Sequence, residues 1–311
     1  MNPITAPRVE GEIVVRRGRK LGIAEFGPPG GRPVIWLHGT PGARRQIPQA
    51  ARIAAFELDV RLIGIDRPGV GLSTPHLYDS IHDFTADLEI VFDQLGLGRV
   101  AMIGLSGGGP YALAAAHAFP ARIAGVGVLG GVAPTRGPEA VAGGLVGLLA
   151  LLSPILPPLR VPLSLALNAL IRLARPVASP VFDLYAALAP EGDRRFFALP
   201  EVKAMFLDDL VGNSRRGLSA PVYDLILFTR QWGFLLNDIV VPVAWWHGDA
   251  DYIVPLAQAR RVVPLIPFAE LFVRPGESHL GGMAAAVEVL IKLLSFWDDD
   301  TSPRNERPAP R

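Results

Sequence analysis

Gly104, Ser106 and Gly108 form a G-x-S-x-G pattern inside RVAMIGLSGGGPYALAAAHAFP, residues 99–120, where an apolar, strand-forming run meets an alanine-rich, helix-forming one. A serine at such a junction can sit on a turn so tight that its backbone is strained and its hydroxyl projects clear of the chain. Side chains at the flanking positions would collide there, which accounts for glycine at 104 and 108. The N–H of Gly107, at the start of the following helix, can donate to an oxygen that acquires negative charge. These features suit nucleophilic attack by a hydroxyl. The competing reading of the same glycines is an ordinary strand-to-helix turn that binds phosphate.

A serine hydroxyl is a weak nucleophile near neutral pH, so an imidazole must take its proton and a carboxylate must fix the imidazole's tautomer. Of six histidines, His279 follows the last strand-like run, ELFVR, in the loop GESHL, and occupies the base position. His38 and His247 also end strand-like runs and can face the same end. His76, His82 and His117 fall in a loop or on helices and read as packed or solvent-facing. For the acid, Asp249 and Asp251 both follow VPVAWWH in HGDADYIVP, and Asp249 equally suits a turn cap that bonds nearby N–H groups. Glu139, after IAGVGVLGG, lies near another acid position but reads better as the start of a helical segment.

The elements that must hold these residues are legible as alternation. EIVVRRG and KLGIAEFG read as a hairpin. PVIWLH, VRLIGID, RVAMIGL and IAGVGVLGG are apolar runs without polar alternation, as expected of strands covered on both faces of a largely parallel sheet. Helical segments separate them; the clearest is expected over Ser80–Leu95, with Phe84, Leu88, Val91 and Leu95 at helical spacing and Ser80 and Asp83 placed as a cap. Strand then helix, repeated, predicts an α/β fold. From about Thr135 to Asn237 the alternation gives way to proline-punctuated apolar helical stretches, read as an inserted helical cap. The expected organisation is a core of residues 1–134 and 238–298, a cap of residues 135–237 and a disordered tail over 299–311.

Composition narrows the function classes. Charged residues are 19% of the 311 and the net charge is +1, so no bulk attraction for a polyanion exists and nucleic acid is not an expected partner. The chain has no cysteine, which removes disulfides, thiolate nucleophiles and cysteine metal sites together. No clustered histidine and carboxylate pattern suggests a metal, and acyl transfer by a serine needs no cofactor. The N-terminus lacks a cationic segment followed by an apolar one, so cytoplasmic residence is the default expectation. Residues 140–159, AVAGGLVGLLALLSPILPPL, carry no charge and reach the length of a membrane span. Pro154, Pro157 and Pro158 crowd their second half, which favours a buried or interfacial cap helix.

With those residues in place, the chain resembles the α/β-hydrolase superfamily over about residues 10–297. HGTPG, His38–Gly42, resembles that family's oxyanion-hole loop, in which Gly39 follows the histidine and Thr40 supplies a second backbone N–H beside that of Gly107. DRPGVGLS, Asp66–Ser73, resembles its D-x-x-G-x-G-x-S turn, and GLSGG its nucleophile elbow. The family's spacing places the acid three residues after the glycine and just before an apolar-Val-Pro segment, which implies Asp251, and the chain order Ser106, Asp251, His279 is the family's. The elbow carries serine where dehalogenases and epoxide hydrolases of the superfamily carry aspartate, so the resemblance implies acyl transfer to water.

The strongly apolar first half of the cap suits a small-molecule ester with an apolar acyl group, and a carboxylesterase or lipase-like activity is the expectation. Arg160, Arg172 and Arg175 interrupt that stretch and suit peripheral contact with an anionic membrane as well as a solvated helix face. HGTPG also differs by one residue from the HGGPG of proline iminopeptidases, which makes peptide hydrolysis the main rival, with Asp208 and Asp209 the nearest candidates to meet a substrate amine. A hydrolase-fold protein that only binds is the wider rival. Oligomeric state has no signature in the sequence.

Overall fold

The structure is a computed structural model that describes residues 4–149, 153–212 and 219–299. Its eight strands are β1 (Val9–Val14), β2 (Lys20–Phe26), β3 (Arg32–Leu37), β4 (Val60–Ile65), β5 (Val100–Leu105), β6 (Ile123–Leu129), β7 (Val243–Gly248) and β8 (Ala269–Arg274). They form one sheet in the order β1-β2-β4-β3-β5-β6-β7-β8. The expected hairpin is β1–β2, which joins β4 antiparallel, and from β4 to β8 every pairing is parallel. Every residue of β5, β6 and β7 is buried, which is why their sequences show no polar alternation.

Successive residues of each strand serve opposite faces. Ile35, Met102, Val128 and Trp245 enter a core shared with helices α2 (Thr85–Gln94), α3 (Gly109–Ala118) and α10 (Leu256–Val262). Trp36, Ile103, Leu129 and Trp246 enter a second core under α1 (Gln49–Glu57) and α11 (Ala286–Asp299). Chain direction across the sheet reverses at β3, which lies between β4 and β5. In open α/β sheets that reversal marks the crevice where ligands bind, at the carboxyl ends of the strands.

Between β6 and β7 the chain inserts α4 (Gly144–Leu149), α5 (Arg160–Ala174), α6 (Ala178–Leu188), α7 (Glu191–Phe197), α8 (Pro200–Phe206), a π-helical turn (Leu207–Gly212) and α9 (Ala220–Phe228). Three expectations change in detail. The helix expected from Ser80 starts with a 3-10 turn, His82–Phe84, that no side chain caps; the Ser80 N–H donates to the Asp83 carboxylate at 2.9 Å instead. The uncharged stretch 140–159 is not one helix. It holds α4 and then turns over 153–159, where the prolines stand, while the longest apolar helix lies downstream, Arg160–Leu188, with α5 and α6 joined through a 3-10 turn. The tail expected from 299 lies outside the described residues from 300 onward, and Asp299 closes α11.

The turn after β5 leaves no room for a side chain on either side of Ser106. A Cβ at Gly104 would stand 2.6 Å from Gly109 Cα, and one at Gly108 would stand 2.2 Å from Leu37 O. Gly109 is less crowded, 3.2 Å from Gly131 Cα and Val128 Cγ1, so it lets α3 pack close to β6. Because the obstacles at Gly104 are backbone atoms that cannot rotate away, Gly104→Ala is expected to cost about 1–3 kcal/mol or more. Gly98→Ala, with nothing within 4 Å of the new methyl, is expected to stay within about 0.5 kcal/mol of the parent. Thermal denaturation of both variants checks the contrast.

Candidate active site

Ser106 ends the turn with φ 50°, a left-handed backbone that is rare outside glycine and is retained only where surroundings over-determine it. Its Oγ lies 2.7 Å from His279 Nε2, and His279 Nδ1 lies 2.7 Å from Asp251 Oδ2. The structure therefore brings together Ser106 after β5, Asp251 after β7 and His279 after β8 in one hydrogen-bonded series. All three are buried, with Ser106 and His279 each 7% exposed.

The two acids after β7 separate cleanly. Asp251 Oδ1 accepts the N–H groups of Ile253 and Val254, both at 2.9 Å, which leaves Oδ2 directed at His279. Burial alone would raise its carboxyl, but hydrogen bonds from His247 and His279 outweigh burial and hold it at about 2, below the ordinary 3.8. Asp249 is exposed and accepts the Gly276 N–H at 2.7 Å, the turn-capping alternative. Glu139 accepts the N–H groups of Leu236 and Asn237, pinning one end of the insertion to the other, away from Ser106.

The remaining strand-end histidines are occupied. His38 Nε2 accepts the Arg67 N–H at 3.0 Å, so Nδ1 carries the proton and donates to Gly39 O at 2.7 Å. Complete burial and the neighbouring Arg67 charge drive its pKa well below the ordinary value, and a neutral imidazole locked inside the loop is a structural part. His247 Nδ1 accepts the Trp245 indole N–H at 3.2 Å, its Nε2 donates to Val254 O at 2.7 Å, and Asp251 Oδ2 lies 3.4 Å from that nitrogen. It packs directly behind the acid.

Thr40 and Gly107 meet beside the serine. A Cβ at Gly107 would fall 2.3 Å from Thr40 Oγ1 and 2.9 Å from Phe228 Cζ, and one at Gly39 would fall 3.6 Å from Ser106 Cβ. Phe228, from α9, thus walls the elbow with an apolar ring. A cavity of about 320 Å³ lined by Pro134, Arg136, Trp232 and Phe234 includes none of Ser106, Asp251 and His279.

Four residues here have no role in the sequence reading. Asp224, in α9, is the lone acid of an otherwise apolar and uncharged helix, APVYDLILF, and an acid on a buried helix signals a partner. Arg67, inside the DRPGVGLS turn, and Tyr111 of α3 both bond it. Asp193, in α7, accepts the Ser278 N–H at 3.0 Å and the Ser278 hydroxyl, one residue before His279; nothing in EGDRRFF marks it. The acids considered for a substrate amine are engaged as well. Asp209 accepts the Ala43 and Arg45 N–H groups, and Asp208 meets Arg45 Nη1 at 3.1 Å.

Serine, imidazole and carboxylate bonded in series on loops at one end of a parallel sheet mark a hydrolase-fold enzyme. The chain belongs to the alpha/beta hydrolase fold family, whose model matches residues 32–284. A proline iminopeptidase of Neisseria meningitidis is 36% identical over 145 residues, 45% of this chain and 46% of that protein, so the chain spans less than half the length of the curated relatives it matches. Among solved structures, an esterase from Rhodococcus sp. ECU1013 is similar with a TM-score of 0.66 and 21% identity over 92% of this chain and 99% of that one. An esterase from Exiguobacterium antarcticum is similar with a TM-score of 0.64 and 20% identity over 92% and 100%. Likeness at these identities concerns the fold.

Asp209 provides a titration that reads the seating of the insertion. Burial, reinforced by the nearby Asp66 carboxylate, raises its carboxyl from 3.8 to about 7. The native state therefore holds this proton more tightly than the unfolded chain does. Its contribution to stability is complete below about pH 4 and is lost as pH rises through about 7. Asp209→Asn, which cannot titrate, is expected to gain in Tm relative to the parent protein between about pH 4 and about pH 8. A Tm difference that stays constant over that range would contradict the assignment.

Proposed function

We propose that the protein is a serine hydrolase that cleaves carboxylic esters with apolar acyl groups through an acyl-enzyme intermediate. The observation that carries the reading is the unbroken bonding series from Ser106 Oγ through His279 to Asp251 Oδ2, with Ser106 at positive φ. His279 Nε2 takes the hydroxyl proton as Ser106 Oγ attacks the ester carbonyl, then returns it to the departing alcohol. Asp251 holds the Nδ1–H tautomer and stabilises the imidazolium. The N–H groups of Thr40 and Gly107 receive the oxyanion, with Gly104, Gly108, His38 and Gly39 shaping the loops that carry them. Water then attacks the acyl-serine with His279 as base. No metal or other cofactor enters these steps. A protein that only bound its ligand would have no need of all three groups in register.

Residues 135–237 act in this reading as a cap over the site, with Phe228 as its apolar inner wall. Ester rather than amine-bearing peptide is favoured by the state of the cap acids. Asp208 and Asp209 bond the segment after Thr40, and Asp209 is held partly protonated near neutral pH, so neither offers a carboxylate to a substrate amine. The specific observation for peptide hydrolysis is the 36% identity to proline iminopeptidases over part of the chain. Turnover of p-nitrophenyl esters of increasing chain length, measured beside a proline naphthylamide, separates the two. Ester turnover is expected, abolished in Ser106→Ala. Asp251→Asn is expected to lose roughly 10⁴-fold, and Asp249→Asn only about twofold, as for a surface change. Turnover of the naphthylamide alone would replace the ester reading.

The cap also presents an apolar face to solvent. Leu170, Leu173, Val177, Val181, Leu184 and Leu188 recur every three or four residues along Arg160–Leu188 and are 49–79% exposed, one stripe of a helix surface. From residue 140 to 182 the chain carries Arg160, Arg172 and Arg175 and no acid. Asp183, the one acid along the stripe, is bonded to Lys203 at 2.7 Å, so an apolar stripe with three arginines along it is complementary to anionic phospholipid, and the proposed occupant of this face is such a membrane surface. Phosphatidylglycerol vesicles are expected to carry the protein upward in a flotation gradient, phosphatidylcholine vesicles to carry less, and Leu173→Glu with Leu184→Glu to abolish the effect. A dimer in solution without flotation would assign the stripe to a second copy.

A further inference from the structure

Asp224 is 2% exposed, and its carboxylate is surrounded by donors. Tyr111 OH donates to Oδ1 at 2.7 Å, and Thr40 Oγ1 and Arg67 Nη2 donate to Oδ2 at 2.6 and 2.7 Å. The Arg67 guanidinium is equally buried and faces the other way onto the oxyanion loop. Nη1 donates to His38 O, while Nη2 donates to Gly39 O at 3.0 Å and to Thr40 Oγ1 at 2.8 Å. Three consecutive residues are thereby gripped by one planar cation whose own charge is answered by Asp224.

The geometry has a directional consequence. Gly39 O and the Thr40 N–H belong to one planar trans peptide unit and point to opposite sides of it. Arg67 Nη2 and His38 Nδ1, both bonded to Gly39 O, therefore set the direction in which the Thr40 N–H points. The Thr40 side chain is held at the same time, accepting from Arg67 and donating to Asp224. We infer that Arg67 and Asp224 are positioning residues that aim the Thr40 N–H at the developing oxyanion, Asp224 acting through Arg67 and Thr40 from the inserted α9. This rests on the serine hydrolase reading. It makes the cap part of the machinery, because α9 supplies the carboxylate without which a buried guanidinium at this loop would be unpaired.

The experiment compares Asp224→Asn, Thr40→Val and the double variant on a p-nitrophenyl ester and its thiono counterpart, whose sulfur is a weak acceptor. Asp224→Asn keeps the shape of the side chain and is expected to lower kcat about 10- to 100-fold, below the full loss of an oxyanion donor, with KM within about twofold. The preference for oxygen ester over thionoester is expected to shrink by a similar factor, and the double variant to be no slower than Asp224→Asn alone, since both act on one device. Thr40→Val, which keeps its N–H and its shape, tests the same prediction if Asp224→Asn fails to fold. Val222→Ala, on the same helix and outside the site, controls for lost stability and is expected to keep both kcat and the oxygen preference. The inference is overturned if folded Asp224→Asn keeps its kcat, loses only in KM, or slows with an unchanged oxygen preference. Failure of the hydrolase reading looks different: the parent protein itself would turn over neither ester, or would do so undiminished in Ser106→Ala.

Discussion

The left-handed backbone of Ser106 is the constraint on which the rest of the site depends. A non-glycine residue at φ 50° costs about 1–2 kcal/mol relative to ordinary backbone, and nothing local to the residue offsets that. What holds it is β5, buried along its whole length between β3 and β6, together with α3 packed so close that Gly104 and Gly108 have no room for a side chain. The atoms that forbid a side chain at Gly108 are the carbonyls of Leu37 and His38, the residues that lead into the loop carrying Thr40. Elbow and loop are thus registered by backbone contact, before any side chain between them is considered.

Buried charge supplies the second layer of order. Asp193, Asp209 and Asp224 all come from the β6–β7 insertion, and all are at most 2% exposed. Burying a carboxylate costs several kcal/mol unless donors surround it, and each of the three finds them on a loop that follows a strand. Asp224 finds them at Thr40 and Arg67, Asp209 at Ala43 and Arg45, and Asp193 at Ser278. The insertion therefore meets the loops around Ser106 with buried acids as well as with apolar residues such as Phe228, and it is apolar again where α5 and α6 meet solvent. The acids tie it to particular loops while an apolar stripe faces outward.

Much of the architecture was legible because it follows from local patterns. Largely apolar runs bounded by turns marked the strands from β3 to β7, ELFVR marked β8, and a serine set among glycines at a strand-to-helix junction marked the elbow. The bounds of the helix between β3 and β4, and the presence of α10, were not legible, since QAARIAAFE and LAQARRV carry little periodic signal against a background rich in alanine and arginine. The uncharged run 140–159 has the hydropathy of a long helix but carries prolines that break it, whereas in 160–188 three arginines interrupt the hydropathy and the backbone stays helical. Asp249 and Asp251 were equivalent by residue type alone. Only the turn that directs Ile253 and Val254 N–H groups at one of them leaves its other oxygen toward His279.

The sequence by itself determined the alternation of strand and helix, the α/β-hydrolase pattern of motifs, and which serine and histidine stand at the ends of strands. Each of these is a matter of period and spacing along a few neighbouring residues. Tertiary structure alone decided that Asp208 and Asp209 are engaged by the core, and that Asp224 reaches Arg67 across 157 residues and Thr40 across 184. Those contacts depend on where the insertion's helices come to rest on the sheet. Leu227 and Phe228 in one core and Met205 in the other seat those helices, and several buried charges must find donors at the same contact, a condition that no single stretch of the chain contains.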